Sequence, residues 1–347
     1  MSTTLILVIV IVLVALIFDY INGFHDAANS VATIVATRVL TPFQAVLWAA
    51  FWNFVAAGPA LLTETGLGVA KTIGTGMVTE RYVTEYVILA ALLGAIFWDL
   101  FTWYFGLPTS SSHALIGGYA GAAMAKAAMI EGPSFMLNAI IPEGWIKTLI
   151  FIIVAPMLGM FLGATLMIIV YWLFRKSTPT YMDYWFRKLQ LVSAALFSFS
   201  HGSNDAQKTI GIITGVLVAA GYLPQFHVPG WVIFAAFSAI ALGTMTGGWR
   251  IVHTMGSKLT RLKPRGGFCA ETAGAIAILF PTYLHVPVST THVITGAIAG
   301  VGAIQRVKAV RWKLAQNILW AWIMTLPASA AVAALCYLVV HALSGGS

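Results

Sequence analysis

The sequence contains little charge. Asp, Glu, Lys and Arg make up 9% of its 347 residues, whereas about 25% is usual for a soluble domain. Hydrophobic residues make up 59% of the chain, and its mean hydropathy is +0.88. This composition excludes a soluble protein of that length, because a water-facing surface requires many more polar and charged side chains.

Cysteine is also scarce. The two cysteines, Cys269 and Cys336, lie in apolar surroundings and have no CxxC spacing. Their number and placement exclude a disulfide framework and a cysteine-based zinc site. We interpret both as packing residues.

Long apolar segments dominate the sequence instead. Residues 148–174 contain no charge over 27 positions, and residues 5–18 are 14 consecutive apolar residues. About 20 apolar residues span a bilayer, so we predict an all-α polytopic membrane protein with about 10–12 membrane segments. The first segment lacks a basic start and a small-residue cleavage site, so it is interpreted as a membrane helix rather than a signal peptide. The apolar stretches lie near 4–22, 42–62, 84–105, 146–174, 189–200, 230–247, 267–284 and 313–341.

Two motifs occur twice with a constant offset of 179 residues. The sequence GLPTSSSHALIG at 106–117 is partly repeated as HVPVSTTHVITG at 285–296. The same offset places NGFHDA at 22–27 on SHGSNDA at 200–206. Paired repeats with interrupted hydrophobic segments are typical of secondary transporters, whose binding site lies where the repeats meet.

The repeat divides the chain into three parts. We predict a first transmembrane repeat at 1–174, a cytoplasmic linker at 175–188 and a second transmembrane repeat at 189–347. Four short segments rich in Gly, Ser and Thr are interpreted as half-helices or re-entrant segments that each follow a break. These segments are 24–38, 109–126, 203–220 and 288–304.

Basic residues predict the orientation. Of the 19 Lys and Arg residues, 13 lie in three basic clusters within 175–188, 250–265 and 306–313. Short basic loops remain in the cytoplasm. Both termini are therefore predicted to be extracytoplasmic and the two repeats to be inverted, in the cytoplasmic (inner) membrane. The net charge of +8 is thus attributed to topology rather than to nucleic-acid binding.

The Ser and Thr motifs predict an anion site. A helix that starts after Pro108 exposes backbone N–H groups and the positive end of its dipole, and Thr109 and Ser110 are suitable N-caps. The alternative is helix packing, because small hydroxylated residues also let membrane helices approach. If the repeats are inverted, the two starts face one another and can bind a tetrahedral oxyanion. The candidate phosphate ligands are Ser110, Ser111, Ser112, Ser289, Thr290 and Thr291, together with Gln207 and Lys208.

The acidic motifs predict a cation site. Asp26 and Asp205 lie in apolar sequence, where a charged side chain costs about 2.5–3.5 kcal/mol. Two carboxylates 5 Å from an anion repel it by about 3 kcal/mol per charge pair at an effective dielectric of 20, so a bound cation or proton favours anion binding. Gly23 and Gly202 are expected to let the backbone unwind and to offer carbonyls. The candidate coupling-ion ligands in these motifs are Asp26, Asn29, Asn204 and Asp205.

Several other polar residues have open roles. Lys208 is either part of the charge compensation or a structural counter-ion to Asp205. His25 and His201 precede the carboxylates and could ligate a metal, but a neutral histidine bonded within a helix bundle is commoner, so no metal site is assigned. His113 and His292 are left without a role. Asp19, Glu64 and Asp99 are given no ligand role.

These motifs together resemble a known family. GFHDAANSVATIVATR at 23–38, WYFGLPTSSSH at 103–113, FSHGSNDAQKTIG at 199–211 and VPVSTTHV at 286–293 look like the PiT family of inorganic phosphate transporters, and most like its bacterial low-affinity branch. The resemblance spans nearly the whole chain. It departs from the family at 221–230, a short segment where many relatives have a large hydrophilic loop.

The resemblance implies uptake of inorganic phosphate with a coupling cation and no cofactor. For the bacterial branch it implies proton coupling and carriage of neutral metal–phosphate complexes. It also places Asn53 and Glu271 among polar groups within membrane helices, which adds both to the candidate coupling-ion ligands. We therefore expect a phosphate symporter, driven by H⁺ or Na⁺ through alternating access, in contact with lipid and in a monomeric or homodimeric state.

Other functions remain as alternatives. Sulfate has the same tetrahedral shape as phosphate, so an oxyanion symporter of different selectivity fits the motifs equally well. A passive anion channel would gain nothing from two buried carboxylates. An intramembrane hydrolase would need Ser112 activated by histidine, but adjacent residues on a helix do not face each other. We expect no enzymatic activity.

Overall fold

Helices account for most of the structure. The computed structural model describes residues 3–63 and 67–343, and these ranges contain no β-strand. A single β-bridge pairs Val78 with Ile140. The all-α prediction is therefore confirmed.

Thirteen α-helices occur in the described residues, and ten of them have at least 14 residues. In chain order they are α1 (Thr3–Ala36), α2 (Pro42–Val55), α3 (Ala57–Leu62), α4 (Gly68–Thr75), α5 (Glu85–Tyr104), α6 (Ser111–Glu131), α7 (Pro142–Leu173), α8 (Pro179–Ala219), α9 (Gly230–Thr246), α10 (Trp249–His253), α11 (Pro264–Tyr283), α12 (Thr290–Gln305) and α13 (Trp312–Leu343).

Several helices are suited to crossing a membrane. Among the described residues, five spans are long and apolar enough, and they correspond to α1, α2 with α3, α5, α7 and α13. A sixth is formed if α9 and the helical segment that follows it count as one span bent by 61°. By contrast, most residues of α6 and α12 are buried against other helices. The chain is thus a multi-pass membrane protein.

The breaks predicted before 24–38 and 203–220 are wrong. Helices α1 and α8 run without interruption through both segments. A Cβ atom at Gly23 would lie 2.2 Å from a backbone oxygen of α9, and one at Gly202 would lie 2.6 Å from a backbone oxygen of α2. Both glycines therefore allow neighbouring helices to approach closely, and they do not release carbonyls for a cation. In addition, residues 179–188 of the predicted linker form the first turns of α8.

The breaks before α6 and α12 are present and have the same geometry. Gly106 and His285, 179 residues apart, both adopt the left-handed conformation, with φ of 65° and 63°. In each case the N–H of the next residue donates a hydrogen bond to the carbonyl five residues before it. The N···O distance is 2.9 Å for Leu107 and 3.0 Å for Val286. This is the Schellman arrangement that ends a helix, and it ends both α5 and α11.

Equivalent serines then start the next helices. The Ser110 side chain accepts a hydrogen bond from the His113 N–H at 3.2 Å, and the Ser289 side chain accepts one from the His292 N–H at 3.2 Å. The N-cap expected at Ser110 is therefore confirmed, and Ser289 has the same role in α12.

The last long helix of each half packs against the opposite half. Helix α7 contacts α12, and α13 contacts α6. A Cβ at Gly296 in α12 would lie 2.2 Å from the Pro156 carbonyl oxygen of α7. One at the equivalent Gly117 in α6 would lie 2.7 Å from the Leu326 carbonyl oxygen of α13, beside Pro327. The two interfaces thus use matching residues.

Equivalent helices run in opposite directions. The Arg187 guanidinium, near the start of α8, donates to the Arg38 carbonyl just after the end of α1. Further along, Thr290 lies between Asp26 of α1 and Asp205 of α8. Between the first contact and the second, α1 runs from its C-terminal end back to Asp26, whereas α8 runs from its N-terminal end forward to Asp205. The two helices are therefore antiparallel. These contacts favour two repeats of opposite orientation.

We expect the basic end of the bundle to face the cytoplasm. Lys176→Cys and Tyr222→Cys, each made after replacing Cys269 and Cys336 by serine, place a thiol on exposed residues at opposite ends of α8. A membrane-impermeant maleimide should label position 222 in intact cells and position 176 only after permeabilisation. The reverse pattern would contradict the predicted orientation.

We expect Gly296→Ala to destabilise the protein. The added Cβ would meet the Pro156 carbonyl at 2.2 Å, and such overpacking costs about 1–3 kcal/mol. Gly58→Ala is the matched control, because that helical glycine has open space around its Cβ position. Thermal unfolding in detergent should show a lower midpoint for Gly296→Ala alone; equal midpoints would show that the α7–α12 interface can relax.

Candidate functional site

The two Ser and Thr helix starts lie against each other. The rings of His113 and His292 are 4.7 Å apart between centroids, and the Ser112 hydroxyl donates to the Val288 carbonyl at 3.5 Å. The first turn of each helix leaves backbone N–H groups without partners in the helix and carries the positive end of the dipole. Both helix starts, whose free N–H groups are suited to an anion, thus lie at one place, and all of these residues are buried.

The two acidic motifs meet at the start of α12. The Thr290 hydroxyl lies 3.5 Å from Asp26 Oδ2 and 3.4 Å from Asp205 Oδ2; its single proton can be donated to only one of them at a time. The Thr291 hydroxyl lies 3.4 Å from Asp26 Oδ2. Asn29 donates to Thr291 at 2.9 Å and to Thr290 at 3.2 Å. The hydroxyl motif and the carboxylates therefore form a single site.

Lys208 connects the two starts. Its ammonium group donates to the Asp205 carboxylate and to the Ser112 hydroxyl, and to the Val288 carbonyl at 3.1 Å. Its side chain is buried with its carboxylate partner. The ammonium is thus held by oxygen atoms from α8, the start of α6 and the residues before α12.

A histidine accompanies each carboxylate. His25 Nδ1 lies 2.8 Å from Asp26 Oδ1, and its Nε2 lies 3.1 Å from the Thr102 hydroxyl. His201 Nε2 lies 3.4 Å from Asp205 Oδ2. Both histidines are in contact with residues of the bundle, as expected for a structural role, and both also stand beside a carboxylate.

The carboxylates are close enough to share a cation. Asp26, His201 and Asp205 each provide a ligand atom within 4.8 Å of the other two, and all three are buried. Two negative charges at that separation repel by about 3.5 kcal/mol at an effective dielectric of 20. A cation bound between them would remove this repulsion.

Gln207 does not reach the Ser and Thr motifs. Its side-chain oxygen accepts from the N–H groups of Val69 and Ala70, at 3.0 and 3.3 Å, and its side-chain nitrogen donates to the Ser203 carbonyl. These bonds cap the start of α4. The contacts give Gln207 a structural role in place of the expected phosphate contact.

Three of the candidate coupling-ion ligands form their hydrogen bonds with residues other than Asp26 and Asp205. Asn53 donates to the Thr244 hydroxyl at 2.9 Å and faces His201 Nδ1 at 3.2 Å, so it touches the site only through that histidine. Asn204 donates to the Thr282 hydroxyl at 2.7 Å. Glu271 accepts hydrogen bonds from three side chains of α1 and α8, which are Thr33 (2.6 Å), Gln190 (2.9 Å) and Ser193 (2.5 Å).

Two contributing residues, Thr102 and Trp322, lie outside the sequence motifs. Thr102 and Thr109 are bonded to each other at 2.8 Å next to His25. The Trp322 ring stacks on His292 with centroids 3.8 Å apart, and its Nε1 donates to the Pro108 carbonyl at 2.9 Å. These partners come from distant helices, so only the structure identifies them.

Within residues 3–63 and 67–343, the remaining acidic side chains form no further cluster that could hold a metal ion. Asp19 and Asp99 are buried in α1 and α5, and Asn22 lies 3.5 Å from Asp19. Glu64 lies outside the described residues.

A cavity of about 890 Å³ opens at the end of the bundle that contains α4 and the start of α7. Its lining includes Lys71 and Lys147, and it extends to Val286 and Pro287. These two residues immediately precede Val288 and the Ser289 cap. The cavity therefore ends close to the start of α12.

A bundle of membrane helices around a buried site of hydroxyls, helix starts and carboxylates defines a class, the polytopic membrane transporters. Residues 22–333 match the phosphate transporter family, and the chain belongs to that family. Because its members are transporters, the hydrolase alternative at Ser112 is set aside, and the structure bonds this serine to Lys208.

Similar proteins cover nearly the full chain. A protein of Rhizobium meliloti is 56% identical over 93% of both chains, and one of Bacillus subtilis is 46% identical over 98% of this chain and 99% of its own. Both are described as probable low-affinity inorganic phosphate transporters. A solved structure described as the sodium-dependent phosphate transporter is 24% identical, with a TM-score of 0.82 over 96% of this chain and 98% of that one. It shares the fold.

We expect Glu271→Gln to lower stability rather than to remove a cation ligand. The amide nitrogen would face one of three hydrogen-bond donors in place of an acceptor, at a cost of about 1–3 kcal/mol. Glu80→Gln, at an exposed position, is the control for loss of charge. Thermal unfolding should show a lower midpoint for Glu271→Gln only, and an unchanged midpoint would speak against a structural role.

Proposed function

We propose that the protein is a secondary symporter that imports inorganic phosphate together with a monovalent cation. One observation carries the proposal: Thr290, at the start of α12, lies against both Asp26 and Asp205. The groups suited to an oxyanion and those suited to a cation are therefore in direct contact.

Phosphate would bind between the starts of α6 and α12. The hydroxyls of Ser112, Thr290 and Thr291 and the free N–H groups of both first turns are donors for its oxygens. Lys208 adds a positive charge at the same place. The names of the relatives, together with membership of the phosphate transporter family, support phosphate over sulfate as the substrate.

Coupling follows from the charge of the site. Lys208 offsets one of the two carboxylates, and the remaining negative charge repels an incoming anion, since a negative pair 5 Å apart costs about 3 kcal/mol at an effective dielectric of 20. A cation bound at these carboxylates removes that cost, so phosphate and cation bind best together. A passive channel gains nothing from this arrangement, because the carboxylates would only hinder the anion.

Alternating access would come from the repeats. Helix α7 packs against α12 and α13 packs against α6, and inverted repeats move against one another in transporters of this kind. The cavity beside Val286 and Pro287 is then the approach from the extracytoplasmic side of the inner membrane. Lys71 and Lys147 outnumber Glu143 in its lining, and this excess of positive charge attracts an anion.

The experiment that tests the proposal is uptake of labelled phosphate into proteoliposomes. We expect an inward gradient of either Na⁺ or H⁺ to drive accumulation, and excess sulfate to leave it unchanged. Uptake that is indifferent to both gradients would favour a channel, and competition by sulfate would change the substrate. Adding Mg²⁺ or Ca²⁺ outside shows whether the cargo is a neutral metal–phosphate complex.

In the same assay, Asp26→Asn should reduce gradient-driven uptake at least about tenfold, because it removes a carboxylate that attracts the cation. Asp183→Asn, a partly exposed residue near the start of α8, is the matched control and should behave as the wild type. Full gradient-driven uptake by a correctly inserted Asp26→Asn protein would remove this carboxylate from the coupling mechanism.

A further inference from the structure

The 179-residue offset relates Asn29 to Lys208. The same offset relates Asp26 to Asp205 and Ser112 to Thr291. The contacts follow this relation, because Asn29 donates to Thr291 while Lys208 donates to Ser112. Two equivalent positions thus differ in one respect: one repeat has a neutral amide where the other has an ammonium group.

The surroundings of the Lys208 ammonium are those of a bound cation. Its neighbours are a carboxylate oxygen of Asp205, the hydroxyl of Ser112 and the carbonyl of Val288. Carboxylate, hydroxyl and backbone carbonyl oxygens are the usual ligands of hard cations. The lysine therefore supplies, through its own side chain, the charge that these oxygens would otherwise take from solution.

The first repeat offers the equivalent oxygens without a lysine. Two of them are the Asp26 carboxylate and the Thr291 hydroxyl, which lie 3.4 Å apart. The repeat offset adds the carbonyl of Thr109, which is 179 residues before Val288. The side-chain oxygen of Asn29 is buried and has no hydrogen-bond partner among the residues that the structure describes. An unpaired buried oxygen is unfavourable unless a donor or cation completes it.

We propose that Lys208 is a tethered cation that permanently occupies the cation site of the second repeat, so that only the first repeat binds an exchangeable coupling cation, at Asp26, Asn29 and Thr291. This inference rests on the proposed symport function and adds its stoichiometry. Two carboxylates and one ammonium leave one negative charge, which a single monovalent cation neutralises. A protein with an amide at position 208 would need two.

The principal rival role for Lys208 is direct binding of phosphate. The two roles differ in what the Lys208→Asn variant should change. Loss of a phosphate ligand raises the KM for phosphate and leaves the number of coupling cations unchanged. Loss of a tethered cation adds one coupling cation per phosphate.

The test is the coupling ratio in proteoliposomes. The phosphate gradient at which net flux is zero is measured against a series of imposed Na⁺ gradients at fixed pH, and then against H⁺ gradients without Na⁺, so that the two arms identify the ion. We expect a ratio of about one cation per phosphate in the wild type and about two in Lys208→Asn. The variant should also need at least about tenfold more cation for half-maximal uptake, whereas Lys208→Arg should keep the wild-type ratio.

Several outcomes would overturn the inference. A wild-type ratio of about two cations per phosphate would overturn it without any other result. This measurement does not depend on whether a variant folds. A Lys208→Asn protein that keeps the wild-type ratio but has a raised KM for phosphate would assign Lys208 to the substrate. A variant that melts like the wild type but is inactive at every cation concentration would also contradict it. By contrast, wild-type protein that shows no gradient-driven phosphate uptake would refute the symport proposal itself.

Discussion

The burial of two carboxylates in a membrane protein is the constraint on which the rest of the structure depends. Asp26 and Asp205 are both inaccessible to solvent, where water cannot stabilise their charge. Continuous helices such as α1 and α8 use their own backbone N–H groups internally, so donors must come from elsewhere. They come from two hydroxyls at the start of α12 and from one lysine. The interruption between α11 and α12 lies at the point where the hydroxyl donors are needed, and the one between α5 and α6 places the Ser112 hydroxyl against the ammonium group of that lysine.

Local chemistry explains why much of this could be predicted from the sequence. Pro108 and Ser110 indicate a helix start through backbone geometry and capping, which depend on only a few neighbouring residues. The duplicated motif then extended the same reasoning to Ser289. The prediction for Gly23 and Gly202 is wrong because their roles depend on helices that are distant in the sequence. Whether Gly23 loosens a helix or lets another helix approach is decided by the neighbouring α9, and no feature of α1 alone reveals it.

Long-range partners limited the prediction of the site in the same way. Gln207 lies one residue before Lys208, yet it faces α4, while Lys208 faces the site. Glu271 is as buried as Asp205, but three donors from two other helices surround it. One informative relation was nevertheless present in the sequence. The repeat offset already aligns Asn29 with Lys208, and comparing the two copies position by position identifies the place where they differ in charge.

Because α7 packs against α12 and α13 packs against α6, each of these long helices depends on the opposite half of the chain. This packing affects the order in which the protein can assemble during synthesis. Helix α7 ends at Leu173 and its partner α12 begins at Thr290, so during synthesis α7 remains without its main packing surface for on the order of ten seconds. Lipid or an insertion factor must cover its glycines in that interval.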